Sequence, residues 1–163
     1  MERLVTGYSP GAIGRIVEMH GTYYHRHWEF GLFFEAKVAS ELSEFMNRFE
    51  EGRDGLWTIL NGEQTAGSIA IDGIKAGGGE GAHLRWFIID PQLQGQGWGK
   101  RLLTEAVSFC DQREYRRIYL WTFKGLDSAR HLYETAGFRL VSEQDGDKWG
   151  TSVTEQLFEY KRE

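Results

Sequence analysis

One cysteine, two prolines and no excess of positive charge stand out in the 163-residue chain by their scarcity. The single cysteine, Cys110, cannot form an internal disulfide, so the cysteine count does not point to an oxidising compartment. Two prolines set against 10 Phe, 7 Tyr and 6 Trp exclude a Pro-rich or disordered composition. Lys and Arg number 19 against 24 Asp and Glu, a formal charge of −5, which argues against a dedicated nucleic-acid binder. No apolar run approaches the roughly 20 residues of a membrane-spanning helix. The opening residues, Met1 to Gly7, also lack the charged-then-apolar pattern of a signal peptide. With no internal repeat or linker, the expectation is one cytoplasmic domain over 1–163, with no membrane and no nucleic acid among its partners.

Glycine is abundant and punctuates the elements. Ser9-Pro10-Gly11 reads as a helix start with Ser9 as N-cap, and Ile13, Ile16, Val17 and His20 follow at helical spacing. Phe34, Val38, Leu42, Phe45 and Phe49 form an apolar stripe that predicts a second helix over about Phe30–Phe49. Leu56–Leu60, Asn61-Gly62 and Gln64–Asp72 read as a β-hairpin, with Asn-Gly at the two positions of a type I′ turn that need positive φ. Gly73–Gly81 is a glycine-rich turn, and His83–Ile89 is a strand stopped by Asp90-Pro91. A helix near Gly97–Gln112, a strand at Arg117–Thr122, a helix at Asp127–Ala136 and strands at Phe138–Ser142 and Val153–Tyr160 complete the chain. The order β-α-α-β-β-β-α-β-α-β-β predicts a mixed α/β (α+β) domain: a largely antiparallel twisted sheet flanked by about four helices.

The segment that carries chemistry is Asp90 to Leu103, where a strand ends, Gly95, Gly97 and Gly99 alternate, and a helix begins. Such a turn presents successive backbone N–H groups beside the positive end of a helix, a site for phosphate or pyrophosphate. Lys100 and Arg101 add charge beside it. The alternative is a tight strand-to-helix connection and nothing more. The dinucleotide fingerprint and the P-loop both fail to match here.

Gln94-Gly95-Gln96-Gly97-Trp98-Gly99 resembles the Q/R-x-x-G-x-G/A acyl-CoA signature of the GCN5-related N-acetyltransferase (GNAT) superfamily. Ala129-Arg130-His131-Leu132-Tyr133-Glu134-Thr135-Ala136-Gly137-Phe138 is similar to that family's second signature, A-x-x-L-Y-x-x-x-G-F. Both occur in the family's order, separated by a helix and a strand. The chain also resembles the acetyltransferase module that follows MarR-type domains in some bacterial proteins, although 163 residues leave no room for such a domain.

The resemblance implies the GNAT acyl-CoA N-acyltransferase fold, with acetyl-CoA as acyl donor inserted where the sheet splays between His83–Ile89 and Arg117–Thr122. It implies that backbone groups at Phe87, Ile88 and Ile89 hold the pantetheine arm and polarise the thioester carbonyl. The amides of Gln94, Gly95, Gln96, Gly97, Trp98, Gly99 and Lys100, with Arg101, would hold the pyrophosphate. Tyr133 matches the general acid toward the leaving thiolate; the alternative is an aromatic that packs its helix on the sheet. Family members often carry a carboxylate base eleven residues before the signature Gln, and that count lands on His83. A histidine near pKa ~6.5 needs no special tuning to accept a proton; the alternative is an exposed strand-end residue. By strand alternation His83, Arg85, Phe87 and Ile89 should share one face. Where the family has an asparagine that contacts pantetheine, this chain has Leu126, and Ser128 is the candidate substitute.

The acceptor side is weakly specified. Glu18–Gly31, with three His and four aromatics, reads as a loop forming a pocket wall, and Glu18, Glu29 or Glu35 are candidates to attract a cationic amine; a plain surface connection is the alternative. No metal is expected, because His25 and His27 lack a Cys or a clear carboxylate partner. Cys110 lies in an apolar stripe and reads as a core thiol rather than a nucleophile. The family often forms homodimers, for which Val153–Tyr160 is the candidate contact. The expected reaction is acetyl transfer to a primary amine of a small molecule or amino acid by direct attack in a ternary complex. Protein N-acetylation and a non-catalytic acyl-CoA-binding regulator are the rivals.

Overall fold

Seven strands form one sheet in the order β1-β2-β3-β4-β5-β7-β6, in a computed structural model that describes residues 1–163. The strands are β1 (Glu2–Thr6), β2 (Gly55–Asn61), β3 (Gln64–Asp72), β4 (Ala82–Ile89), β5 (Arg117–Phe123), β6 (Arg139–Gly146) and β7 (Val153–Lys161). Four helices flank them: α1 (Ala12–Trp28), α2 (Leu32–Asn47), α3 (Trp98–Gln112) and α4 (Asp127–Thr135). Every strand pair is antiparallel except β4–β5. The element order is the one the sequence predicts, and the α/β (α+β) class holds.

Each face of the sheet carries its own core. On one, Leu102, Leu103, Ala106 and Cys110 of α3 pack on Ile59, Ile69, Ile71, Leu120 and Phe158. On the other, Ile16 and Met19 of α1 and Phe34, Val38, Leu42 and Phe45 of α2 pack on Leu56, Ala70, Trp86 and Ile88. The α2 stripe read from the sequence is this second contact, with each fully buried side chain contributing about 1.5–3 kcal/mol of transfer free energy. Burial pushes the Cys110 thiol up to about 12, so it is an inert core group.

Three local expectations fail for identifiable reasons. The α1 cap is Gly11, at φ 89, and Ser9 contributes its carbonyl to the Ala12 N–H at 3.0 Å rather than its hydroxyl. The segment read as a loop after Glu18 is the second half of α1, which continues to Trp28. Gly21, the apparent breaker, is buried in that helix, and a Cβ there would lie 3.0 Å from Cδ of Glu35. Glycine at this point serves the close approach of α2. In the hairpin, Asn61 pairs with Gln64, so the two turn residues are Gly62 and Glu63, of which only Gly62 has positive φ (65°). That excludes a type I′ turn.

The most consequential irregularity is in β4. Trp86 adopts φ 48, an uncommon conformation for a bulky residue, and the β3–β4 register shifts between Ser68 and Ala70. Ser68 Oγ donates to the Trp86 carbonyl at 2.6 Å and anchors the bulge. The extra residue reverses side-chain parity. Leu84 packs with the α3 core and Trp86 and Ile88 with the α2 core, while Phe87 and Ile89 turn back to the α3 side. His83, Arg85, Phe87 and Ile89 therefore do not share one face.

β4 and β5 pair only through Ala82↔Ile118 and His83↔Tyr119, and then separate. The corner is tight: Gly81 has φ +96, and a Cβ on it would sit 2.6 Å from the Arg117 carbonyl oxygen. From Leu84 onward the β5-facing edge of β4 has no strand partner. β7, in contrast, is flanked by β5 and β6, so neither of its edges is free for pairing with a second copy. The C-terminal strand expected as a dimer contact is an interior strand.

Candidate active site

Two cavities open where the sheet parts. The larger, about 920 Å³, runs along the end of β4, the turn before α3 and the start of α4. It is lined by Phe87, Ile88, Ile89, Gln94, Gly95, Gly97, Trp98, Gly99, Lys100 and Ser128, ten of the positions predicted to hold the acyl donor. Gln96 and Arg101 are not among its walls: Gln96 Nε2 donates to the Gln92 carbonyl at 3.3 Å, and the Arg101 guanidinium lies over the Trp98 ring, 4.3 Å from its centre. Trp28, at the end of α1, closes the far side against Gly125.

The turn has the form an anion requires. Gly95 and Gly97 have φ 79 and 87, and nothing lies within 4 Å of a Cβ built on either. Gly97 is also the N-cap of α3, and no side chain caps that end. The first amides of a 15-residue helix are therefore left for an outside acceptor, beside Lys100. Gly99 serves packing instead, since a Cβ there would approach Leu132 Cδ1 to 2.9 Å.

The second cavity, about 320 Å³, lies between α2, β4, β5 and the β6–β7 turn. Tyr133 and His83 both line it. Four residues, Tyr24, Phe87, Leu126 and Ala129, line both cavities, so the two spaces adjoin across them. Tyr133 is buried beside this junction, its ring 5.9 Å from Phe87 and 6.0 Å from both Phe138 and Phe158. Burial raises its pKa well above the ordinary tyrosine value, with nearby Tyr24 adding to the effect, so the phenol keeps its proton. His83 stacks on Tyr119 at 4.5 Å. Burial first, and then the Arg85 charge, lower its pKa to about 3, which makes it a neutral imidazole at pH 7.

Sequence reasoning missed much of the second cavity. Lys37, Glu41, Arg85, Trp121, Lys148 and Trp149 all line it. The Lys37–Glu41 spacing of four was the one available signal. Glu18, Glu29 and Glu35, the carboxylates expected to face an amine, are not on its wall; Glu41 is. No cluster of three or more His, Cys, Asp or Glu is arranged to hold a metal ion.

His20 is also on this wall and is 5% exposed. Its Nδ1–H donates to the Ile16 carbonyl at 2.8 Å, which fixes the tautomer and leaves Nε2 as the free acceptor. Burial lowers its pKa to about 4. The unfolded chain protonates His20 near pH ~6.5. The stability tied to the neutral ring is thus complete above pH 6.5 and is lost as pH falls toward about 4, by up to roughly 3 kcal/mol. Urea unfolding between pH 7 and pH 4.5 should show a shallower loss of stability in His20→Gln than in the wild type. Parallel pH profiles would remove His20 as the source.

A split sheet with an uncapped, glycine-lined helix end at the mouth of the split defines an acyl-CoA-type transferase architecture. The family comparisons agree with it. Residues 16–138 match the model of the Acetyltransferase (GNAT) family, and the chain belongs to that family. Solved structures share the fold over nearly the full chain. An acetyltransferase from Streptococcus agalactiae superposes with a TM-score of 0.75 at 20% identity, covering 99% of this chain and 98% of that one. A GNAT-family acetyltransferase from Staphylococcus aureus gives 0.74 at 16% identity, covering 99% of each chain. The ribosomal-protein-S18-alanine N-acetyltransferase of Escherichia coli gives 0.71 at 16%, covering 99% of this chain and 94% of that one. No curated protein sequence matches the chain.

Proposed function

We propose that the protein transfers the acetyl group of acetyl-CoA to a primary amine of a small molecule or amino acid, by direct attack in a ternary complex. The observation that carries this reading is the junction of the two cavities at Phe87, with Tyr133 beside it. A donor held along the larger cavity and an amine in the smaller one would meet there.

The acyl donor supplies a thioester, an acyl group already activated toward amines. The remaining work falls to the protein. The backbone of Phe87, Ile88 and Ile89, on a strand edge free of a partner, holds the pantetheine arm and donates to the carbonyl oxygen as charge develops on it. The amides of Gly95 to Lys100 and the Lys100 ammonium take the pyrophosphate. Ser128, on the same wall, replaces the missing asparagine. Tyr133, protonated throughout the physiological range, donates to the departing sulfur.

An attacking amine must lose a proton, and with a pKa of ~10.4 a lysine-like amine is mostly protonated at pH 7. His83, at about 3, is a good hydrogen-bond acceptor and a poor final holder of a proton. Its proposed role is to accept from the amine, or from a water that carries the proton outward. The 320 Å³ acceptor space is the size of a small molecule, which favours free amines over protein chains.

Calorimetry with acetyl-CoA, followed by thiol release with a panel of amines, tests the reading. One molar equivalent of acetyl-CoA should bind, and at least one amine should release CoA. Binding without turnover on any amine would favour the non-catalytic regulator. An absence of heat with either acetyl-CoA or CoA on folded protein would end the assignment.

A further inference from the structure

The overall charge of the chain is −5, yet the acceptor cavity is cationic. Its wall carries Lys37, Arg85 and Lys148 against a single carboxylate, Glu41. Glu41 is shared: Lys37 Nζ lies 2.5 Å from it, and Arg85 contacts its other oxygen. Behind the wall, Asp72 lies 3.9 Å from Arg85 but is engaged by both terminal nitrogens of Arg48, at 2.7 and 3.0 Å. On the wall itself three cations face one carboxylate; the outer layer adds Arg48 paired with Asp72, and Glu155 beside Lys148.

Of the four cations, Lys148 lies farthest from its closest carboxylate. Its ammonium is 3.8 Å from Glu155, whose carboxylate already accepts the Lys148 backbone N–H at 2.9 Å. The same ammonium sits over the Trp121 ring, 3.2 Å from its centre, a contact that leaves its positive charge unneutralised. Burial lowers the Lys148 pKa, Glu155 opposes that shift, and the charge of Lys37 lowers it again. The buried His20, with Nδ1 held by the helix carbonyl, supplies the opposite function on the same wall, an uncharged acceptor. Phe34, Trp86, Phe123 and Trp149 make the remaining surface apolar.

We infer that the acceptor is an amine that also bears a carboxylate, an amino acid with an apolar or aromatic body, whose carboxylate is received by Lys148 and Lys37. A bound carboxylate adds a second negative charge to a wall that carries three positive ones. His20 offers the amine end a second neutral acceptor besides His83. This inference rests on the acetyl-transfer reading above, and its test separates the two.

Wild-type protein and acetyl-CoA are assayed with matched pairs, L-phenylalanine against phenethylamine and L-methionine against 3-(methylthio)propylamine. In parallel, the same four compounds are titrated into CoA-saturated protein, with the fluorescence of the cavity tryptophans as readout. The carboxylate member of each pair should have a kcat/KM at least tenfold higher, and should bind at least tenfold more tightly. Lys148→Gln should bring that ratio to within threefold, through KM for the amino acid rather than kcat, and Lys148→Arg should restore it. Tighter binding of the carboxylates without acetylation of any of the four would uphold the carboxylate site at Lys148 and Lys37 and overturn the assignment of these amino acids as acetyl acceptors. Acetylation of both members at equal efficiency, with a ratio that Lys148→Gln does not move, would overturn the inference alone. No binding and no acetylation of any of the four would overturn it as well.

Discussion

Tyr133→Phe should lower kcat for acetyl transfer by about 100-fold or more, with acetyl-CoA affinity changed by less than threefold. The substitution removes one oxygen from a residue whose ring contacts with Phe87, Phe138 and Phe158 remain. The fold therefore has no reason to lose stability. What disappears is a buried hydroxyl beside the junction of the two cavities. A thiolate leaving without a nearby proton donor must depart as a full anion in an apolar space, and the barrier rises accordingly. Steady-state kinetics and calorimetry on the same preparation separate kcat from binding. A kcat within threefold of the wild type would return Tyr133 to the role of a packing aromatic.

Gly97→Ala should weaken acetyl-CoA binding about tenfold or more, measured by calorimetry, while Gly11→Ala leaves binding alone. The two glycines are matched in geometry, with φ 87 and φ 89 and open space where a Cβ would lie. Each substitution carries a similar backbone penalty of roughly 1–2 kcal/mol. Both should thus lower the thermal midpoint by similar amounts. Only at Gly97 does the new methyl enter the space in front of the uncapped α3 amides, where a pyrophosphate would approach. Equal effects on affinity would mean that the turn is only a connection and that the anion lies elsewhere.

The order and type of the elements were legible because each rests on a local signal. The α2 stripe, the Asp90-Pro91 stop and the alternating glycines all act within a few residues of themselves. The positions expected to hold an acyl donor lie mostly in the same short stretch, Phe87 to Lys100, and ten of the twelve line the larger cavity. The smaller cavity was not legible for the opposite reason. Lys37, Arg85 and Lys148 come from a helix, a strand and a turn that only the folded sheet brings to one wall. The bulge at Trp86 left no mark in the sequence either, and with it the parity of β4 was assigned incorrectly beyond Arg85. Gly21 misled in a different way: its lack of a side chain serves contact with α2, a tertiary demand that outweighs its low helix propensity.

The two residue pairs that join β4 to β5 act as a pivot for everything beyond them. Angular play at Ala82 and His83 is magnified along the diverging strands, so the width of the split is governed at its vertex, where His83 itself faces the smaller cavity. The bare backbone of Gly81 lets that vertex close, since even a methyl group would wedge against the Arg117 carbonyl. Fine adjustment of the gape is therefore to be sought in the sequence flanking that seam.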